Sequence, residues 1–440
     1  MVAMSAIAQA LERETDKLLA CVHCGLCHQV CPTYLKLGNE NDSPRGRIYL
    51  MRAVAEDRLT VDSPAFLRHI DMCVGCRACE TACPSGVLYG HLLEAARAEI
   101  AKNREEKSKP NLQELIKRFV LRRIFPFPSR VRFIFGFARW LKRTGLPEMA
   151  VKSGLVDSLP LKLQGALKLL VPSEGLSVRN GHRGLWRQRA PASAGVKPRK
   201  VAFFTGCVME TLFARINQAT REALLVNGCE IITPQSQICC GALQAHAGER
   251  ETAREMARKN IDTFEKAECE AIIINAAGCG AMLKEYGELL ADDPQYAHRA
   301  EQFSKKVKDI TEYLVQIGFR PGQRAIKRRV TYDAPCHLLH GQRVAQPPIQ
   351  IIRSIPGIQF VPLKDSEMCC GSAGIYNLLQ PEMSRRLQED KIKNIRATGA
   401  EIVVTGNPGC HMQIASGAFL AGLNIQVMHP VELLAESYRL

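Results

Sequence analysis

The chain has 440 residues, 46% hydrophobic and 23% charged, with 18 cysteines and a formal net charge of +15. That length exceeds one hydrophobic core and calls for two to four domains. The composition is that of an ordinary globular protein, and no stretch reaches the ~18 consecutive apolar residues that would span a bilayer. The charge is local: residues 115–198 hold 17 Lys or Arg against Glu148, Asp157 and Glu174, a net of +14, so the rest is nearly neutral. A local basic patch points to a specific partner or surface.

The opening, Met1 to Ala20, has no uninterrupted apolar core and carries Glu12, Arg13, Glu14, Asp16 and Lys17. It reads as an amphipathic helix and not as a secretory signal. Thiols that are not exported stay reduced, which favours metal or cluster binding over disulfides. The run Cys21-Val-His-Cys24-Gly-Leu-Cys27-His-Gln-Val-Cys31-Pro32 follows, and it returns as Cys73-Val-Gly-Cys76-Arg-Ala-Cys79-Glu-Thr-Ala-Cys83-Pro84. Both have the C-x2-C-x2-C-x3-C-P spacing of bacterial two-cluster ferredoxins, in which the fourth Cys of each run ligates the other cluster. The expectation is Cys21, Cys24, Cys27 and Cys83 on one [4Fe-4S] cluster, and Cys73, Cys76, Cys79 and Cys31 on a second. Zinc ribbons are the alternative, but they usually pair two C-x2-C units.

Between the runs, Ser43 and Pro44 form an N-cap and first-turn pair. Ile48, Leu50, Met51, Val54 and Leu59 then suggest a helix with one buried face. Residues 64–72 predict a second helix and His91 to Lys102 a third, so the runs sit between helices. Arg45 and Arg47 either offset negative charge at the clusters or lie on a solvated turn.

Residues 103–198 read as the least regular part. Between Glu114 and Glu148 there are nine bases, no acid and six of the 15 Phe. Phe133, Phe137, Trp140 and Leu141 fall on one helical face, with Arg132, Arg139, Lys142 and Arg143 off it. That pattern suits an anionic membrane interface or a partner subunit; the bland reading is a stripe packed on its own domain. No recognition motif for nucleic acid accompanies it. Residues 173–200 read as a linker.

From residue 200 an α/β pattern appears twice. A short strand from Lys200 ending in Gly206-Cys207, another over Cys229–Pro234 and a third at Ala271–Asn275 lead into Cys207, Cys239-Cys240-Gly241 and Gly278-Cys279. Strands at Val330–Asp333, Ile358–Pro362 and Glu401–Thr405 stand in the same relation to Cys336, Cys369-Cys370-Gly371 and Gly409-Cys410. Corresponding cysteines lie 129, 130 and 131 residues apart, which marks a duplicated domain. Each sits where a strand ends, the edge at which α/β folds place ligands. Adjacent cysteines cannot both face one way from a strand, so each pair belongs in a loop, with Gly241 or Gly371 making the sharp turn. The sets Cys207, Cys239, Cys240, Cys279 and Cys336, Cys369, Cys370, Cys410 can hold a further Fe–S cluster each, or zinc, or stand as buried thiols. His337, His340 and His411 lie beside the second set as substitute ligands or hydrogen-bonding neighbours. Cys229 and Cys269 read as small packing residues.

The run Cys21-Val-His-Cys-Gly-Leu-Cys, the Cys-Pro-Thr-Tyr and Ser43-Pro-Arg-Gly-Arg-Ile-Tyr-Leu segments and Cys83-Pro-Ser-Gly-Val together resemble the iron–sulfur subunit of bacterial glycolate oxidase (glycolate dehydrogenase). The C-terminal half is similar to its paired "CCG" domains, shared with heterodisulfide reductase, in Ala277-Gly-Cys-Gly-Ala, Lys284-Glu-Tyr-Gly and Cys369-Cys-Gly-Ser-Ala-Gly-Ile-Tyr. The likeness covers about residues 15–100 and 200–440, while the basic middle matches only in character. It implies a multidomain α plus α/β chain: an all-α 2[4Fe-4S] ferredoxin-like domain (1–105), a basic helical segment and linker (106–198), and two α/β CCG domains (199–325 and 326–440). It implies an electron-transfer subunit that receives electrons from FAD-binding subunits oxidising glycolate to glyoxylate. Those electrons would pass toward membrane quinone at the cytoplasmic face of the inner membrane. Where full CCG domains end in C-x2-C, this chain has Ala276 and Asn407 in place of the first thiol, which weighs against heterodisulfide-reductase-like thiol chemistry. An equivalent subunit for lactate, glycerol-3-phosphate or another 2-hydroxy acid carries the same motifs.

Overall fold

The computed structural model describes residues 9–107, 112–159, 164, 165, 167, 186–188 and 198–439. Residues 1–8 of the expected first helix lie outside these, as does the expected linker apart from 186–188 and 198–200. The chain divides into two compact units: one holds residues up to Ile124 together with Gly241–Ala253, the other Phe125–Cys240 and Arg254 onward.

In the first unit the regular elements among the described residues are helices. The opening segment forms two short helices, Gln9–Glu12 and Thr15–Leu19, which break at Arg13-Glu14 so that both Leu11 and Leu18 reach the core. Ser43 caps the helix Pro44–Ala55 by accepting the Gly46 N–H at 3.0 Å, and Pro44 fills its first turn. Ile48, Met51 and Val54 face the core, where they meet Phe66 and Ile70 of the helix Pro64–Met72. Position 46 must be glycine, because a Cβ there would stand 2.1 Å from the Glu40 carbonyl oxygen. The third helix runs Tyr89–Lys107, longer at both ends than expected. Its N-terminal extension buries Tyr89 in the same core as Leu92, Leu93 and Ala96.

Gly241–Ala253 is fastened into this unit by several polar contacts. Gln244 donates to the Leu121 carbonyl at 2.9 Å, Arg122 pairs with Glu249 at 2.5 Å, and His246 meets Glu94 at 2.8 Å. Gly248, at φ +85°, lets the backbone close on Arg97, whose carbonyl oxygen would lie 2.3 Å from any Cβ.

The second unit carries two sheets. The first holds β1 (Trp186–Gln188), β2 (Arg199–Phe203), β3 (Cys229–Thr233), β4 (Ala271–Ile274) and β5 (Val307–Asp309). The second holds β6 (Arg329–Tyr332), β7 (Gln359–Phe360), β8 (Ile402–Val404) and β9 (Gln426–Met428). Their orders are β1-β3-β2-β4-β5 and β7-β6-β8-β9. Apart from the antiparallel edge strand β1, all pairings are parallel. The two copies therefore share one strand order, as the cysteine spacing predicts. Their apolar runs suit sheets buried on both faces; all four residues of β4 are buried. Cys229 opens β3 and Cys269 precedes β4, both buried as packing residues.

The basic middle, read as the least regular part and yet as a helical segment, is helical over much of its described length. The helices Leu112–Phe119, Pro128–Arg143 and Leu146–Lys152 occupy it. Pro128 and Pro147 fall in first turns, where proline starts a helix and does not break one. On Pro128–Arg143, Val131 is buried, but Phe133 is 78% exposed and Phe137 and Trp140 are each 59% exposed. Phe137 and Trp140 stack on one another at 5.6 Å, so among the described residues these rings meet each other while staying largely exposed. No helix among the described residues is long and apolar enough to cross a membrane.

The two copies are clamped where the loops after β4 and β8 cross. Ala277 N–H donates to the Gly406 carbonyl at 3.1 Å, Gly278 N–H to Asn407 Oδ1 at 3.1 Å, and Gln342 to the Ala277 carbonyl at 2.9 Å. His429 completes the clamp: its Nε2 donates to the Asn275 carbonyl at 3.0 Å while Nδ1 accepts the Val431 N–H. Burial pushes its pKa down to about 3, so it stays neutral in the fold. Below the ordinary imidazole value of 6.5 the unfolded chain takes up a proton that the folded chain refuses, so stability falls as pH drops from 6.5 toward 3. The full window amounts to about 5 kcal/mol. Denaturant unfolding between pH 7.5 and 5.5 should show a steeper acid loss in wild type than in His429→Gln; equal slopes would remove this role.

Candidate metal centres

Left-handed residues between the cysteines let successive thiols turn to one side: His23 and Gly25 in the first run, Gly75 and Arg77 in the second. Cys21, Cys24, Cys27 and Cys83 line one cavity, with Arg45, Ile48 and Tyr89 among its walls. Burial raises the Cys21 thiol pKa, and Cys83 and Cys24 add to the effect; Cys27 is pushed up to about 11 by burial, with Cys21 and Cys31 beside it. Cys79 is raised well above the usual thiol value by burial, with Cys76, Cys73 and Cys31 as its thiol neighbours. The structure thus brings Cys83 of the second run beside the first triple, and Cys31 of the first run beside both Cys27 and Cys79, the latter also lining the cavity.

The two sets differ in surroundings. Cys24 is exposed, whereas Cys31, Cys73, Cys76 and Cys79 are all buried. At the second set, Tyr89 O–H and Gly75 N–H donate to Cys73 Sγ at 3.5 and 3.4 Å, and the Thr33 hydroxyl lies 3.3 Å from Cys31 Sγ. The two arginines of the Ser-Pro-Arg-Gly-Arg segment part company. Arg45 is partly exposed and bound to Glu40 at 2.6 Å, while Arg47 is fully buried.

In the second unit each strand end delivers its thiol. Cys207 and Cys279 lie in the first turns of helices Cys207–Leu212 and Ala277–Lys284, and Cys410 in that of Pro408–Leu420. Gly241 and Gly371 take φ +86° and +88° after the paired cysteines, as the loop argument requires. Cys207 Sγ stands 3.4 Å from Cys239 Sγ. The Cys240 thiol is raised well above its usual value by hydrogen bonds with Cys239 and Cys279 and by burial. In the other copy the Cys369, Cys370 and Cys410 thiols are raised by hydrogen bonds with Cys336, Cys369 and Cys370 respectively, and by burial. All eight thiols predicted from sequence therefore gather as two sets of four.

The loops ahead of the paired cysteines are pinned differently. Asn260 accepts the Ile238 N–H and donates to the Cys239 carbonyl in the first copy. In the second, Lys391 donates to the Asp365 and Ser366 carbonyls and pairs with Asp333 at 2.8 Å, both side chains 2% exposed. Of the two positions that lack a thiol, Ala276 is fully buried. Asn407 donates to Cys410 Sγ at 3.5 Å while accepting from Gly278. His337 Nδ1 lies 3.5 Å from Cys336 Sγ, and His411 packs on the Phe213 ring.

Among the described residues no group of three or more His, Cys, Asp or Glu is arranged to hold a single metal ion. Iron–sulfur cores fit the ferredoxin-type sets better, since their thiolates attach to different irons. Burial favours the protonated thiol at Cys27 and Cys79, and a metal core would supply the compensating charge that favours the thiolate. A guanidinium with one nitrogen lacking any protein acceptor, Arg47 Nη1, stands near the second set.

Residues 17–87 match the 4Fe-4S dicluster domain family, and 201–284 and 330–415 the cysteine-rich domain family. Residues 112–170 match the linker region of glycolate oxidase iron-sulfur subunits, so the likeness extends through the basic middle, beyond what the motifs alone indicate. A probable glycolate oxidase iron-sulfur subunit of Bacillus subtilis is 39% identical over 96% of this chain and 95% of its own length. The glycolate oxidase iron-sulfur subunit of Escherichia coli is 34% identical over 98% of this chain and 96% of its own. Lactate utilization protein A of Shouchella clausii is 31% identical over 53% of this chain. A Helicobacter pylori hypothetical protein shares the fold at a TM-score of 0.54 and 9% identity, over 99% of this chain and 77% of that one. On its full-length relatives and its three matched families, the chain belongs to the glycolate oxidase iron–sulfur subunits.

Proposed function

We propose that this chain is the electron-transfer subunit of a flavin-dependent glycolate oxidase (dehydrogenase) complex, accepting electrons from FAD-binding subunits that convert glycolate to glyoxylate and passing them toward membrane quinone. The observation that carries this reading is the gathering of the two cysteine runs, with Cys83 beside Cys21 and Cys31 beside Cys79. Cys21, Cys24, Cys27 and Cys83 would hold one [4Fe-4S] cluster and Cys73, Cys76, Cys79 and Cys31 the other, within an all-helical domain ending near residue 105. When bound, such clusters carry one electron at a time, which complements a flavin that collects two as a hydride.

The chain's own residues set the conditions of transfer. The first set reaches solvent at Cys24, where a partner can approach; burial insulates the second. Cys207, Cys239, Cys240 and Cys279, and Cys336, Cys369, Cys370 and Cys410, are sites for up to two further Fe–S clusters or metals in CCG domains spanning about 199–325 and 326–440. Among lactate, other 2-hydroxy acids and the polyol phosphate glycerol-3-phosphate, lactate is the favoured second substrate, because the lactate utilization relatives match about half of the chain. Purifying the native complex and assaying glycolate against these acids decides the matter: turnover restricted to another acid overturns the glycolate reading.

The exposed aromatic stripe of Pro128–Arg143 and its surrounding bases support peripheral attachment to the anionic cytoplasmic face of the inner membrane. The side chains of Arg139, Lys142 and Arg143 lie outside the described residues. Each base near such a surface is worth about 1 kcal/mol. Changing all three to Glu should therefore weaken sedimentation with anionic vesicles by roughly 100-fold or more; unchanged sedimentation removes the attachment.

A further inference from the structure

We propose that Arg47 is the buried cation that raises the reduction potential of the second cysteine set, Cys31, Cys73, Cys76 and Cys79. The inference rests on the reading that this set holds a cluster. One-electron reduction adds one negative charge, and burial away from water makes that addition costly. Net charge, hydrogen bonds to sulfur and exposure are the protein's levers on such a potential. At this set the exposure lever is closed, and the charge lever is Arg47.

The geometry around Arg47 separates it from an ordinary structural arginine. Its side chain is fully buried. Nε donates to the His69 carbonyl at 2.7 Å and Nη2 to the Thr33 hydroxyl at 3.0 Å. That hydroxyl is the same one that lies 3.3 Å from Cys31 Sγ, so a single oxygen links guanidinium and sulfur. The Asp42 carboxylate is the weakest of its contacts at 3.4 Å, and that carboxylate is held closer by His69 at 2.8 Å. Nη1 has no protein acceptor. Burial opposes the charge, yet Cys73, Tyr89, Cys31 and Asp42, in that order, hold it in place. Arg45, by contrast, sits near the first set already paired with Glu40 and partly in water, where its field is screened. A buried charge that pairs only loosely with its carboxylate acts through low dielectric on whatever lies nearby.

The test is a redox titration followed by EPR on the anaerobically reconstituted full chain. In Arg47→Gln one cluster signal should move to lower potential by a tenfold change in its reduction equilibrium, which is 59 mV for one electron, while the other ferredoxin-type signal stays. In Asp42→Asn, which removes a negative charge from the same cage, the same signal should move up. Shifts of opposite sign separate charge from structure, because a cage that merely loosens would move both variants the same way. If Arg47→Gln fails to take up iron, Asp42→Asn decides: a raised midpoint supports the proposal, and an unchanged or lowered one overturns it. Full iron with unmoved signals in both variants also overturns it. Wild-type protein without cluster iron would instead defeat the underlying reading, before any variant is compared.

Discussion

Cys76→Ser, in the second run, is expected to lower the iron content by about four atoms per chain, the content of one [4Fe-4S] core, and to stop quinone reduction by the assembled complex. Cys24→Ser should do the same from the first run. Each removes one of four thiolates that the fold gathers from two distant stretches. On the proposed assignment the remaining three have no spare thiol to recruit, since the neighbouring ones would ligate the other cluster. Reduction of an artificial dye at the flavin should survive in both variants, because on the proposed route it would draw electrons before they reach this chain. Quinone turnover that persists in both would show that electrons do not take this route.

Lys391→Met is expected to destabilise the second unit by roughly 3–5 kcal/mol, the usual cost of removing one partner from a buried ion pair. Lys391 and Asp333 are each 2% exposed and 2.8 Å apart. Without the ammonium, Asp333 keeps, among the described residues, the Thr405 hydroxyl at 3.0 Å, and the Asp365 and Ser366 carbonyls lose this donor. Much of the loss is an uncompensated buried charge, so the double variant Lys391→Met with Asp333→Asn should recover part of it. Urea unfolding of wild type, both singles and the double gives the coupling. A double variant as unstable as the sum of the singles would mean that the pair does not act as a unit.

How much could be read from the sequence differs by element. The cysteine runs were fully legible, because a fixed spacing of one residue type reports a local wrap directly. The duplication was legible too, since the offsets between cysteines survive even where other side chains diverged. The helical character of the basic middle was legible in the aromatic stripe, but the helix starts were not: prolines at 128 and 147 look like breaks unless they are known to occupy first turns. Arg45 and Arg47 were equivalent on paper. Only the packing of helix Pro44–Ala55 sends one inward and leaves the other at the surface, because residues two apart lie on opposite faces. The cage around Arg47 draws on residues 33, 42 and 69, and no local pattern links those positions. The joining of Gly241–Ala253 to the first unit has the same origin: Gln244, His246 and Glu249 meet partners more than a hundred residues away.

Iron and acid-labile sulfide counted on the anaerobically purified full chain test the central claim most directly. At least eight iron atoms per chain, with matching sulfide, are expected from the two ferredoxin-type cores. A colourless protein with no iron would contradict the account at its root.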